Sequence, residues 1–265
     1  MNSVYCVFPG GKFKALTLSY DDNSPESNRK LMEIFRKYSI KATFFLNSGL
    51  YPDDDDRWEI KSMYEGFEVA CHTRTHPTIA RCPVTEVIDQ ILGDRKALEA
   101  AVGYPVRGLS YPNRSMSPEI TSLLPLTGIR YAREGETTGN FGLPQDLLHW
   151  KGTCHHNQNL LEKADEFISL FKWQYLYLFY VWGHSFEFAR DGNWDMMEEF
   201  CRKVGGRDDV WYCTNIEYVD YMEAFKRLQF AADNSFVFNP NAMDVFILVN
   251  GQNTVKIPGG HTVRL

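Results

Sequence analysis

Short runs of β-branched and aromatic residues alternate along this chain with stretches whose apolar residues recur at helical spacing. The clearest helical stripe lies in 84–102, and the most apolar run, 175–182, is typical of a buried strand. The tripeptide Ser-Pro-Glu marks two helix starts, at Ser24 and Ser117, because it supplies an N-cap, a proline at the first helical position and an acid in the first turn. The pattern predicts strands at 13–19, 41–46, 67–71, 108–111, 129–132, 148–152, 175–182 and 210–213, and helices after Ser24 and Ser117 and at 84–102, 159–171, 194–203 and 216–230.

This order of elements predicts an α/β fold in which a parallel sheet is covered by helices. Seven or eight strand–helix repeats favour a closed or nearly closed barrel. After about residue 231 the pattern changes to short strand-like runs, separated by Asn250-Gly251 and 258–260, and Asn-Gly between such runs is a strong hairpin signal. We therefore expect a (β/α) barrel domain in 1–230 and a small antiparallel β-hairpin appendage in 231–265.

Composition narrows the possible partners. Lys and Arg number 28 against 34 Asp and Glu, a net charge of −6 without a basic cluster, so we expect no nucleic-acid partner. No apolar run approaches the roughly 18 residues of a membrane helix, and we expect no membrane span. The first residues lack the basic and apolar regions of a secretory signal, so the cytoplasm is the expected location by default, and an extracytoplasmic one if a signal was removed. Six cysteines without C-x-x-C spacing are typical of reduced thiols.

Side chains capable of catalysis follow several predicted strands. Asp21 and Asp22 come after the first strand, His72 and His76 follow the third, and His184 follows the run at 175–182. In a strand-then-helix barrel the carboxyl ends of the strands converge on one face, called the mouth here. Two histidines and one carboxylate suit Zn²⁺ or a similar divalent ion with a position open for water. The sequence therefore predicts a hydrolytic metal site at the mouth.

Each feature alone has a simpler explanation. Adjacent aspartates before a helix start commonly act as caps, two histidines four residues apart arise by chance, and His184 could be a hydrogen-bonded core histidine. The metal site is favoured because all three features fall at predicted strand ends, in an order that would bring them together.

Four motifs together resemble the polysaccharide deacetylase family, carbohydrate esterase family four, over about residues 12–225. The matches are Ser19-Tyr-Asp-Asp-Asn23 for the family's T-F-D-D-G, His72-Thr-Arg-Thr-His76 for H-[ST]-x-x-H, Ser110-Tyr-Pro-Asn-Arg114 in part for R-x-P-x-G, and Val181-Trp-Gly-His184 for an apolar strand ending in Leu-x-His. The β-rich tail lies outside the resemblance.

The resemblance implies a distorted (β/α) barrel of about seven strands that removes acetyl groups from N-acetylated, less often O-acetylated, saccharides. It implies that Asp22, His72 and His76 hold a divalent metal ion, Zn²⁺ in the first place and Co²⁺, Ni²⁺ or Mn²⁺ as alternatives. A bound Zn²⁺ lowers the pKa of its water toward about 7 and polarises a carbonyl, which the hydrolysis of an unreactive amide requires.

The resemblance also implies three catalytic roles. Asp21 would be the general base, His184 the general acid that protonates the leaving amine, and the backbone N–H of Tyr111 would stabilise the oxyanion. Acid–base catalysis of this kind typically contributes about 10²–10⁴-fold, and an oxyanion donor roughly 3 kcal/mol.

The third motif departs from the family pattern. The arginine that in the family tethers the catalytic carboxylate is Ser110 in this chain. Arg114, Arg130 and Arg133 are nearby in sequence, and any of them, or none, could replace it. Our hypothesis is Arg133, because the predicted strand 129–132 ends directly before it.

Candidate substrate contacts come from the resemblance as well. Trp150, in a loose match to the fourth motif, could form an aromatic wall for the acetyl methyl group, with core packing as the alternative. Tyr111, Pro112 and Arg114 are further candidates for substrate binding. Asn23 and Arg114 stand where the family has glycine, and this could narrow the cleft or alter the preferred substrate.

Further acids and histidines lie close to these motifs in the sequence. Asp146 and Glu187 compete as the acid that orients His184. His155 and His156 are adjacent, so on a strand they would face opposite ways and only one could line the mouth.

The expected function is a metal-dependent hydrolase that deacetylates an N-acetylated saccharide of the cell wall or a related oligosaccharide. One alternative is a catalytically impaired, carbohydrate-binding relative, which the missing third-motif arginine favours. Another is an O-acetyl esterase or other amide hydrolase on the same metal site. The sequence does not predict the sugar, the oligomeric state or the role of the tail.

Overall fold

The computed structural model describes residues 2–51 and 54–265. The strands in this part of the chain are β1 (Val4–Cys6), β2 (Lys14–Asp21), β3 (Thr43–Leu46), β4 (Glu68–Cys71), β5 (Gly108–Ser110), β6 (Tyr131–Thr137), β7 (Trp150–Gly152), β8 (Cys154–His155), β9 (Tyr177–His184), β10 (Val210–Tyr212), β11 (Gln229–Phe230), β12 (Phe236–Phe238), β13 (Val245–Val249), β14 (Asn253–Ile257) and β15 (Thr262–Arg264). The α-helices are α1 (Pro25–Lys37), α2 (Asp54–Met63), α3 (Val84–Val102), α4 (Pro118–Leu123), α5 (Leu160–Ser169), α6 (Ser185–Asp191), α7 (Trp194–Val204) and α8 (Asn215–Lys226).

The main sheet is parallel and runs in the order β7-β6-β5-β4-β3-β2-β9-β8, with β10 paired to the first half of β2. Its two edges meet in one stretch of chain, because β7 pairs with β6, β8 pairs with β9, and only Thr153 separates β7 from β8. The sheet therefore closes into a distorted barrel of about seven strands, as predicted, and the carboxyl ends of its strands share one mouth.

Successive side chains of β2 point to opposite faces of the sheet and belong to two separate parts of the core. Leu16, Leu18 and Tyr20 point outward and belong to a cluster that the surrounding helices cover. Ala15 points into the barrel and belongs to a second cluster, which includes Trp150 and extends into the tail. The last inward position of the strand is Asp21, so this alternation delivers a carboxylate to the mouth.

The tail forms two three-stranded antiparallel sheets, one of β1, β13 and β14 and one of β11, β12 and β15. Residues 250–252 connect β13 to β14, and Asn250 and Gly251 have the positive φ values of 54° and 69° that are common in tight hairpin turns. The appendage is thus more extensive than the predicted hairpin, because β1, which was not predicted, pairs with β13. The division of the chain at residue 231 stays a prediction.

Most predicted elements are present with shifted ends, and the last predicted helix ends at Lys226 instead of residue 230. The short elements β1, β8, β11, α2 and α6 were not predicted. None of the helices in 2–51 and 54–265 is long and apolar enough to cross a membrane.

Candidate active site

The predicted catalytic residues come together at the mouth of the barrel. Asp21 is the last residue of β2 and pairs in register with His184, the last residue of β9. His72 directly follows β4, and its main-chain N–H donates to Leu46 O at the end of β3 (2.9 Å). Parallel pairing thus aligns the ends of β2, β3, β4 and β9.

Asp22, His72 and His76 form a compact group of potential metal ligands. Asp22 Oδ1 lies 3.6 Å from His72 Nε2 and 3.7 Å from His76 Nε2, and one ligand atom from each residue falls within 4.8 Å of the other two. Asp22 and His76 have positive φ values of 72° and 56°, an uncommon backbone conformation for residues other than glycine. The donor set of two imidazoles and a carboxylate fits a divalent transition metal.

The surrounding structure fixes the orientation of His72. Its Nδ1 lies 2.8 Å from the carbonyl oxygen of Ser110, and because a carbonyl only accepts hydrogen bonds, Nδ1 carries the proton and the Nε2 lone pair faces the group. The main-chain N–H of His72 donates to Asp94 Oδ2 (3.0 Å), and Asn47 Nδ2 donates to the carbonyl of His72 (2.6 Å). Burial raises the pKa of the Asp94 carboxyl to about 7.

The support from Asn47 depends on Asn23, which stands where the family has glycine. Asn23 Oδ1 accepts the main-chain N–H of Asn47 (3.0 Å), and Asn23 Nδ2 donates to the carbonyl of Asn47 (2.7 Å). The Asn23 side chain therefore braces the loop beneath the histidines. Asn47 and Asp94 were not predicted as site residues; the acid at position 94, on the apolar face of α3, was the available signal.

Asp21 is buried beside the potential metal ligands and is held by Arg133. The guanidinium donates to Asp21 Oδ2 and to the Ser110 hydroxyl, which itself donates to Asp21 Oδ2 at 3.0 Å. Burial alone would raise the pKa of the Asp21 carboxyl, but the charge of Arg133 and the neighbouring His72 hold it below its usual value. Asp21 Oδ1 is buried and has no hydrogen-bond partner, so one oxygen of the carboxylate remains free to accept a proton.

Tyr111, whose main-chain N–H was predicted to stabilise the oxyanion, uses this group within the sheet. Its N–H donates to the carbonyl of Arg133 at 3.1 Å, because the ladder between β5 and β6 continues one residue beyond β5. Its hydroxyl donates to Leu148 O (3.0 Å). The next residue, Pro112, is buried in a 3₁₀ turn, while the exposed Arg114 lines a cleft beside the site.

His184 lies between two carboxylates. Its Nε2 is 4.0 Å from Asp22 Oδ2, and its Nδ1 is 3.5 Å from Glu187 Oε2. Burial lowers the pKa of His184, but the interactions with Glu187 and Asp21 outweigh burial, so the pKa is raised above its ordinary value. Asp146 is exposed, and its carboxylate accepts the N–H of Leu148 (2.8 Å). Of the two candidate acids, Glu187 is therefore the one beside His184.

His155 and His156 both reach Glu187, contrary to the expectation that only one of them could face the mouth. Their Nε2 atoms lie 3.1 Å and 3.2 Å from Glu187 Oε2. The alternation of neighbouring side chains that holds within a strand does not apply here, because β8 ends at His155 and the chain turns at His156. Burial lowers the pKa of His156 to about 3, so this ring is neutral.

Trp150 is a core residue and not the predicted acetyl wall. Its side chain is 1% exposed and packs against Tyr131, Tyr180 and Tyr218, with ring centroids 4.8–5.6 Å away. An aromatic side chain that lines the cleft is Trp182, whose ring lies 4.3 Å from the guanidinium carbon of Arg133. Trp182 stands two residues before His184 on the same strand, so the sequence contains a signal that its side chain lies near the site.

An open cleft of about 570 Å³ adjoins the site. It is mainly polar, and its lining includes Arg114, Glu136, His155, Gln158, Trp182 and His184. The barrel thus presents a group of potential metal ligands, a buried carboxylate and a partly exposed histidine beside a cleft large enough for a small ligand.

Comparisons with known proteins agree with the motifs and the barrel described above. Residues 10–132 match the family model of polysaccharide deacetylases. A chitooligosaccharide deacetylase of Bradyrhizobium sp. (strain ANU 289) is 32% identical over 89 residues, which cover 33% of this chain and 40% of that protein. The family model covers the part of the chain that carries the first three motifs, and the resemblance seen in these motifs is confirmed there.

Two solved structures share the fold at 15% sequence identity. The Xyl-CE4 domain of a multidomain xylanase from the hindgut metagenome of Trinervitermes trinervoides has a TM-score of 0.57, over 80% of this chain and 92% of that domain. A family 4 acetyl xylan esterase from Clostridium thermocellum, in complex with a cobalt ion, has a TM-score of 0.55, over 79% and 91%. The chain spans less than half the length of the curated relatives that it matches, with 40%, 17% and 23% of three of them covered.

Proposed function

We propose that this chain is a metal-dependent hydrolase that removes acetyl groups from N-acetylated saccharides. The observation that carries the proposal is the convergence of Asp22, His72 and His76 within 4.8 Å, between the Asp21 carboxylate and the His184 imidazole. The similar proteins, which include chitooligosaccharide and peptidoglycan deacetylases, support this substrate class.

Asp22, His72 and His76 would hold a divalent metal ion, for which Zn²⁺ is our first choice and Co²⁺, Ni²⁺ and Mn²⁺ are alternatives. Such an ion, when bound, supplies a Lewis acid that lowers the pKa of water and polarises a carbonyl oxygen. The Nδ1–H···O=C contact of His72 with Ser110 keeps Nε2 available as a ligand atom.

The other polar residues move protons. Asp21 stays ionised because Arg133 lowers its pKa, and its free Oδ1 can take a proton from an attacking water. His184, with a raised pKa, can be protonated near neutral pH and can donate that proton to the leaving nitrogen. Protonation of this nitrogen is essential because an amide anion is a poor leaving group.

The contact between Arg133 and Asp21 bears on the catalytically impaired alternative. That alternative was favoured by the loss of the third-motif arginine, and Arg133 now provides a guanidinium to the same carboxylate. We therefore prefer an active hydrolase.

The test is acetate release from chitooligosaccharides, peptidoglycan fragments and acetylated xylan, with and without added Zn²⁺ or Co²⁺. We expect metal-dependent acetate release from an N-acetylated substrate, its loss in Asp22→Ala, and its retention in the control Asp146→Asn. Release from acetylated xylan alone would favour the O-acetyl esterase. No release from any substrate with any metal would overturn the proposal.

A further inference from the structure

We propose that His155, His156 and Glu187 form a second divalent-metal site, separate from the Asp22 group and suited to Zn²⁺ or a similar transition metal. Glu187 Oε2 lies 3.1 Å from His155 Nε2 and 3.2 Å from His156 Nε2, and one ligand atom from each residue falls within 4.8 Å of the other two. Two imidazoles and one carboxylate are a ligand set that borderline transition metals prefer.

The spacing of these atoms agrees with a tetrahedral site. Bonds of about 2.0–2.1 Å from Zn²⁺ to nitrogen or oxygen place neighbouring ligand atoms about 3.3 Å apart. The two distances to Glu187 Oε2, 3.1 Å and 3.2 Å, are close to this value. Binding would therefore require only small movements of these side chains.

His156 provides an independent sign of a missing ligand. Its side chain is fully buried, and neither ring nitrogen has a hydrogen-bond partner, although Nε2 is only 3.2 Å from Glu187. The two atoms are near each other but not aligned for a hydrogen bond, as expected when both are directed at a common third point. A buried polar group without a partner is destabilising, and a metal ion coordinated at Nε2 would offset that cost.

The packing around His156 holds the ring in this position. A Cβ atom at Gly183 would lie 1.9 Å from His156 Nδ1, so only glycine at this point of β9 leaves room for the ring. Phe188 stacks on the ring with centroids 4.2 Å apart, and the main-chain N–H of His156 donates to Trp182 O (2.9 Å). The buried ligand is therefore preorganised, while His155 and Glu187, which line the cleft, provide access for an ion.

This group shares no ligand with the Asp22 group. His184 lies between the two groups, with Nε2 toward Asp22 and Nδ1 toward Glu187. The alternative is that Glu187 only makes hydrogen bonds and ion pairs with these histidines, in which case the group binds no metal. The two explanations differ in the number of metal ions bound per chain.

The experiment is metal analysis of the full chain after removal of bound metal with a chelator, titration with Co²⁺ or Zn²⁺, and removal of unbound ions. We expect two equivalents in the wild-type chain and one in Asp22→Ala/His76→Ala, with a Co²⁺ absorption band typical of four-coordinate nitrogen and oxygen ligands. Addition of Glu187→Gln or His155→Ala to that double variant should remove the remaining equivalent. His261→Ala and Glu136→Gln, which change a tail histidine and a cleft acid, should retain two.

The result that overturns the proposal is equally direct. If Asp22→Ala/His76→Ala binds no stoichiometric metal while circular dichroism shows that it is folded, the second site does not exist. The same conclusion follows if Glu187→Gln and His155→Ala both leave the metal count of the wild-type chain unchanged. Neither outcome involves a substrate, so the result is independent of the proposed deacetylase activity.

Discussion

Arg133 contacts Asp21 from the position on β6 that pairs in register with Ser110 on β5. The guanidinium and the carboxylate are both almost fully buried, and the Ser110 hydroxyl donates to the same carboxylate oxygen. Arg133 thus supplies from the neighbouring strand the positive charge that the family resemblance led us to expect at position 110. Loss of one partner of a buried ion pair is costly, because the other charge is left unpaired.

The first prediction concerns the arginine beside Asp21, which stands at position 133 and not at position 110. Arg133→Ser should reduce kcat about 100-fold or more with little change in KM, because Asp21 loses the group that orients it and keeps it ionised. Adding Ser110→Arg to that variant should restore at least 10-fold of the lost kcat. Position 110 pairs in register with position 133, so an arginine there would start beside the same carboxylate. Steady-state kinetics of acetate release measure both effects.

The control is Arg130→Ser, which removes an exposed arginine that pairs with Glu223 on the outside of the barrel. It should leave kcat unchanged. If Arg133→Ser retains wild-type kcat, or if Ser110→Arg restores nothing in a chain that is folded, Arg133 does not position Asp21.

The sequence predicted the site well where the motifs coincide with strand ends. Asp22, His72, His76 and His184 lie where barrel geometry requires, and Arg133 was identified because its strand was predicted to end beside it. Their placement at one mouth follows from the order of strands and the rule that parallel strands end at one face, whereas the search for an arginine beside Asp21 came from the family resemblance.

The differences between prediction and structure concern the direction of side chains and the partners of main-chain atoms. Trp150 opens β7 and points into the barrel, and spacing alone could not distinguish that orientation from one toward the mouth. The N–H of Tyr111 is used by the continued ladder with β6. His155 and His156 face the same carboxylate because a strand ends between them, and strand ends are the least certain part of a prediction from sequence.

The second prediction concerns the pH dependence of stability. Glu68 is buried, and burial raises the pKa of its carboxyl to about 7, although Ile216, Tyr131 and Thr43 all donate hydrogen bonds to it. A raised carboxyl pKa means that the folded state binds the proton more tightly than the unfolded state. The stabilisation is therefore complete below about pH 4.5 and is lost as pH rises toward 7, by about 3 kcal/mol.

Glu68→Gln removes this titration, so its free energy of unfolding should fall less between pH 4.5 and pH 7 than that of the wild type. Urea unfolding of both chains across this range measures the difference. Asp94 also has a raised pKa but is present in both chains, so its contribution cancels. Glu119→Gln, at an exposed site, is the control; identical pH slopes for the wild type and Glu68→Gln would contradict the prediction.

The third prediction compares two glycine-to-alanine substitutions. Gly93 lies inside α3, where a Cβ would be 3.4 Å from the flexible side chain of Arg74, so Gly93→Ala should stabilise the chain by about 0.5–1 kcal/mol. Gly183→Ala would place its Cβ 1.9 Å from a ring nitrogen of His156 and should destabilise by about 1–3 kcal/mol. Urea midpoints measure both effects. A neutral Gly183→Ala would show that the His156 ring can move aside at little cost.

The fourth prediction separates the roles of two tryptophans. Trp150 is surrounded by tyrosine rings inside the barrel, so Trp150→Phe should lower the free energy of unfolding by about 2 kcal/mol and leave kcat/KM nearly unchanged. Trp182 lies over Arg133 and lines the cleft, so Trp182→Phe should lower kcat/KM several-fold, because a phenyl ring holds the guanidinium less well.

Urea unfolding and acetate-release kinetics of both variants decide between the two assignments, and each variant serves as the control for the other. A phenylalanine retains an apolar ring at either position, so both chains should remain folded. If Trp150→Phe instead lowers kcat/KM while Trp182→Phe does not, the aromatic side chain that serves the substrate is Trp150. The original acetyl-wall hypothesis would then be correct, and the barrel would have to open around that side chain during turnover, because in this structure it is 1% exposed.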